Sequence, residues 1–104
     1  MKLASKSIAW TDPQAGEGVA NFIVYYAAGD TVAFSYDLPS VSVPAAKGQT
    51  EYTFALPGGL TILEGPGTIW VAPADAEGNI GDPSSLTRIF DFTPPQPVTN
   101  LRIV

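Results

Sequence analysis

Apolar residues in this chain recur at every second position in short runs, and each run is closed within a few residues by Pro, Gly, Asp or Asn. Such a pattern builds strands, because a helix needs apolar positions three and four apart over a longer window. Lys6 to Thr11 sets Ile8 and Trp10 on one face and Ser7 and Ala9 on the other, and Asp12-Pro13 ends it. Val19 to Ala27 sets Phe22, Val24 and Tyr26 against Asn21, Ile23 and Tyr25, which predicts a strand covered on both faces. Thr31 to Asp37 alternates again through Val32, Phe34 and Tyr36 after a Gly29-Asp30 turn, and is read as a further strand. Pro39 and Pro44 confine Ser40 to Val43 to a sheet edge or a loop, since proline cannot donate to a central ladder. Glu51 to Leu56, Thr68 to Ala74 and Leu86 to Phe92 complete the set, with Trp70 facing away from Ile69 and Val71. The expected fold is all-β, a Greek-key β-sandwich.

A chain of 104 residues is the size of one domain. It carries no cysteine, so the fold rests on packing and strand pairing without disulfides. Ten acidic against five basic residues leave a net charge of -5, which excludes the concentrated basic surface that nucleic acid requires. No apolar run approaches the roughly 20 residues of a membrane span, so membrane insertion is not expected. Met1 to Lys6 is followed by no apolar run of signal-peptide length, so no signal peptide is read in this chain.

Catalysis has little to work with. Histidine and cysteine are both absent, which removes Ser-His and Cys-His nucleophilic schemes and the common zinc sites. The acidic residues sit mostly at turns, no pair is marked out for glycoside hydrolysis, and no Gly-rich phosphate loop leads into a helix. Asp75, Glu77, Asn79 and Asp82 form an oxygen-rich loop whose spacing matches no EF-hand, and they are read as an Asp/Gly/Asn turn. The expectation is a non-enzymatic protein with no catalytic residues, no metal and no cofactor.

Several segments resemble the fibronectin type III family. Trp10 within Ser7-Ile8-Ala9-Trp10-Thr11-Asp12-Pro13 resembles that family's strand B tryptophan, and Val19 to Tyr26 resembles its strand C, with Phe22 where tyrosine is usual. Trp70 to Asn79 is similar to strand F and the F-G turn of bacterial members, and Pro94 to Ile103 to the linker plus strand A of tandem arrays. The resemblance implies an immunoglobulin-like sandwich. It departs from the family in two places: the corner tyrosine falls at or near Gly67, and strand A stands at the C-terminal end instead of ahead of strand B.

That displacement carries the functional expectation. Residues 1–92 read as a sandwich lacking its first strand, 93–97 as a stiff connector holding Pro94, Pro95 and Pro97, and 98–104 as a donor strand with Val98, Leu101, Ile103 and Val104 as its apolar positions. In the family's orientation a tail returning to its own domain must cross a strand length, roughly 25 Å. The connector reaches only about 15 Å at polyproline spacing. Donation to a neighbouring copy is easier, with Leu101 and Ile103 in the vacant core positions and Asn100 and Arg102 facing out. The expected function is head-to-tail self-assembly, in a virion as a decoration or tail component or in an extracellular or cell-surface filament. The Met start favours the virion, and other virion or cell-surface proteins are further partners. Two other readings of the tail are the frayed linker of a tandem array, and a tail that binds a different protein while Leu3 serves as a short strand A. The rival function is a carbohydrate-binding or adhesive module of a larger secreted protein, using Ile23, Tyr25 and Trp70 as a candidate surface patch. The plainer reading of that patch is packing under a loop or a neighbouring subunit.

Overall fold

The computed structural model describes residues 6–104. Its strands are β1 (Lys6–Thr11), β2 (Asn21–Ala28), β3 (Ser40–Pro44), β4 (Glu51–Leu56), β5 (Gly65–Ala74) and β6 (Ser84–Phe90). They form two antiparallel sheets, one of two strands in the order β1-β4 and one of four in the order β3-β2-β5-β6. The molecule is an all-β sandwich. The core lies between the sheets, where Ile8 of β1 meets Val24 and Tyr26 of β2, Ile69 of β5 and Phe90 of β6, with Phe54 and Leu56 of β4 packed alongside.

Register follows from alternation. Ile8 stands opposite Phe54 and Trp10 opposite Tyr52, so the apolar sides of β1 and β4 face the core together. Trp10 stacks on Tyr52 with ring centroids 5.8 Å apart, and Phe22 meets Trp10 edge-on at 5.5 Å. The Tyr52 hydroxyl accepts from Ala46 N at 3.0 Å, tying the turn before β4 to the strand. Ser40–Pro44 is an edge strand of the four-stranded sheet, as its two prolines require.

One expected strand is absent: residues 31–39 form a loop. The edge of β2 that this stretch would need is taken by β3, which pairs with Asn21 to Tyr25. Lacking a ladder to join, the segment turns at Ser35, whose carbonyl accepts from Leu38 N at 3.2 Å, and lays its aromatic side chains on the outer face of the sheet.

The start of β5 is closely packed. Gly67 packs so closely that a Cβ there would lie 2.8 Å from Phe90 and 2.9 Å from Tyr26. Tyr26 passes over this gap, and its hydroxyl accepts from Leu63 N at 3.0 Å, fastening the β4–β5 loop from a different strand.

Candidate functional site: an open strand edge and a projecting tail

The sheets are unequal, and that inequality makes the site. Two strands cannot cover four, so the inner face of β6 has no strand above it among the described residues. Leu86 shares a face with Ile69, its register partner, yet remains 37% exposed. Between β1 and β6 runs a trough. Its upper part, about 230 Å³, is lined by Ile8, Trp10, Ile69, Val71 and Leu86, and its lower part, about 420 Å³, by Lys6, Leu56, Arg88 and Phe90. The Trp10 indole N–H is buried without a hydrogen-bond partner among the described residues.

The backbone of β1 is open along this trough. Asp12 N donates to Thr50 O at 2.7 Å, and 12 and 50 continue the β1–β4 register, which assigns the hydrogen-bonded pairs to the even positions of β1. Ser7, Ala9 and Thr11 therefore turn their N–H and C=O groups to the other side, where no described strand pairs with them. Such an edge is a template for another strand. Leu3, the alternative source of a short first strand, lies outside the described residues.

The tail is fastened at its root. Phe92 stacks parallel to Phe90 at 6.4 Å, and the Lys6 ammonium sits 5.1 Å from the centre of the Phe92 ring. The Glu64 carboxylate accepts from Phe92 N at 2.9 Å and from the Thr93 hydroxyl, and Asp91 Oδ1 accepts from Thr93 N at 2.9 Å. Among the described residues no hydrogen bond to the body is made beyond Thr93; Arg102 Nη1 donates to Asn100 O within the tail at 3.0 Å. Pro94, Pro95 and Pro97 lie in a connector without regular structure. The whole molecule is 67 Å long and 30 by 19 Å across.

Of the expected donor residues, Val98 is 81%, Leu101 91% and Ile103 100% exposed, and Val104 is equally bare. The tail stands free in the isolated chain, the condition of a donor before pairing and equally of a frayed linker. Its root lies beside Lys6, the start of β1, whereas an antiparallel partner for β1 must enter at Thr11, the far end of that strand. The sequence reading missed the root contacts. Glu64 lies outside every strand the alternation predicts and Lys6 is the charged first residue of one, and only the fold brings them to Thr93 and Phe92.

Of the Ile23, Tyr25 and Trp70 patch, Tyr25 and Trp70 are packed under a loop, as the plainer reading has it and against the use of their rings as a binding surface, while Ile23 is half-buried. Tyr25 is 1% exposed and Trp70 is buried, because Phe34 of the 31–39 loop meets Tyr25 edge-on at 5.0 Å and leans on Trp70 at 5.5 Å. Tyr36 completes the cover, its hydroxyl donating to Gly81 O at 3.3 Å. Burial raises the Tyr25 pKa, with the nearby Tyr36 adding to the effect. A sugar platform on these rings has no open face.

The Asp75 loop has the geometry of a turn. Its carboxylate accepts from Asn79 Nδ2 and Asn79 N, each at 2.9 Å, and from Glu77 N at 3.0 Å. These bonds, the Asn79 side chain foremost, hold the Asp75 pKa below the usual carboxylate value. Among the described residues no helix is long and apolar enough to cross a membrane. Comparison of the chain with protein-family models, with curated proteins and with solved structures finds no match.

Proposed function

We propose that the protein is a non-enzymatic structural subunit, fibronectin type III-like in form, that assembles head to tail. Residues 98–104 of each copy add as a strand to the open edge of β1 in the next. The observation that carries this reading is the conjunction of a β1 edge that no described strand occupies, over an apolar trough, with a tail whose apolar residues Val98, Leu101, Ile103 and Val104 are exposed. Main-chain hydrogen bonds supply the attachment and inward side chains the selectivity, as in other cases of β-augmentation. Donor and acceptor surfaces differ, so the contact repeats into a ring or an open filament. A polymer of this kind suits a virion decoration or tail, or an extracellular filament.

Burying Leu101 and Ile103 contributes on the order of 1.5 to 3 kcal/mol each. Replacing both by Asp should therefore weaken association by about 100-fold or more, since each 1.4 kcal/mol is a factor of ten. Both side chains stand clear of the core, so the variant keeps its fold. Size-exclusion chromatography with light scattering on the intact chain should show mass rising with concentration, and the Leu101→Asp/Ile103→Asp chain should stay monomeric. An intact chain that is monomeric at every concentration overturns the proposal.

A further inference from the structure

The trough also specifies how a donor strand must sit, an inference that rests on the assembly reading above. We infer that Arg102 of one copy pairs with Ala9 of the next, which places Leu101 beside Trp10 and Ile103 beside Ile8.

Parity narrows the choices first. The backbone groups of β1 that no described strand pairs belong to Ser7, Ala9 and Thr11, whose side chains point away from the core. Residues that exchange hydrogen bonds with them must also point outward, since partners across a ladder share a face. In the tail this role falls to the polar Arg102, leaving Leu101 and Ile103 to face inward.

Side-chain chemistry selects among the registers that remain. With Arg102 opposite Thr11, Leu101 would meet Asp12, which is buried and engaged by the amides of Gln14 and Gly16. With Arg102 opposite Ser7, Ile103 would meet Lys6, whose ammonium lies over Phe92. Opposite Ala9, both apolar side chains fall over the floor formed by Ile69, Val71 and Leu86. Charge agrees with this placement. Glu51, held by the Thr11 hydroxyl at 2.9 Å, is the charged side chain on the outward face of the β1–β4 pair, and Arg102 brings the opposite sign to that face.

Asn100 supplies the entry. Its φ of 57° is left-handed, a conformation asparagine tolerates better than most residues and one that the first residue of a G1 bulge adopts once a segment pairs. A bulge shifts the alternation by one position. Val98, which straight alternation would set opposite in sense to Leu101 and Ile103, then comes to the same side as both.

The natural chain has no cysteine, so introduced pairs report without ambiguity. Three double variants share Arg102→Cys and carry Ser7→Cys, Ala9→Cys or Thr11→Cys, all at outward positions. Under mild oxidation the Ala9→Cys/Arg102→Cys chain should form a ladder of disulfide-linked multimers. Its yield should exceed that of the other two by about tenfold or more, because Cα atoms beyond 7 Å cannot be bridged without backbone movement. A ladder strongest with Ser7→Cys or Thr11→Cys overturns the register while leaving strand donation standing. A bond closed within one chain in all three, or no ladder and a monomeric reduced protein by light scattering, overturns both.

Discussion

Gly67 shows how tightly the start of β5 is packed. It needs no unusual backbone conformation; it is the space beside it that is taken, by Phe90 and Tyr26. Gly67→Ala should push these rings apart and lower stability by about 1 to 3 kcal/mol, the usual cost of overpacking. Urea unfolding would read this as a lower midpoint at unchanged slope. Tyr25 gives a pH-dependent counterpart. Its raised pKa means that the folded chain holds the phenolic proton after the unfolded chain has released it. The unfolded state then binds fewer protons, so the contribution of Tyr25 is complete below pH about 10 and declines as pH rises above it. Tyr25→Phe should flatten the fall in melting temperature between neutral and strongly alkaline pH.

At the level of elements, the 31–39 loop and the tail are opposite outcomes of one property. Both are apolar segments without a ladder in their own chain. The loop meets the outer face of the β2–β5 pair a few residues from where it leaves β2, and its aromatics close over Tyr25 and Trp70. The tail leaves past a row of prolines with its first residues clamped by Glu64, and Val98, Leu101, Ile103 and Val104 stay exposed. Removing the lid's central ring by Phe34→Ala should cost about 2 kcal/mol or more. It should also shift tryptophan emission to longer wavelength as Trp70 becomes wet. Alternation alone assigned residues 31–37 to a strand and could not do otherwise. Phe34 and Tyr36 have the spacing of strand residues, and what decides against pairing is that β3, from later in the sequence, already holds the edge of β2.

For the whole molecule, the proposed head-to-tail assembly, with the tail of one copy on the β1 edge that no described strand occupies in the next, implies that a free tail competes with a tethered one. A synthetic peptide of residues 93–104, added in excess to the assembled full chain, should fill acceptor edges and shorten the polymers toward monomer. Light scattering follows that directly, and a peptide with Leu101→Asp and Ile103→Asp should have no effect. Assembly of this kind also protects each subunit, because an uncovered strand edge is an aggregation hazard.

Much of this was legible in the residues. The sandwich class, the bounds of β1 and β4, the two covered faces of β2 and the exclusion of Ser40–Val43 from a central strand all follow from spacing and from what proline and glycine permit, properties local to a few neighbouring positions. The cover over Trp70, the Glu64 clamp on Thr93, the free backbone of Ser7, Ala9 and Thr11 and the bare inner face at Leu86 were not legible. Each depends on which strand occupies which edge, a competition between segments distant in sequence that ends only when the sheets have formed.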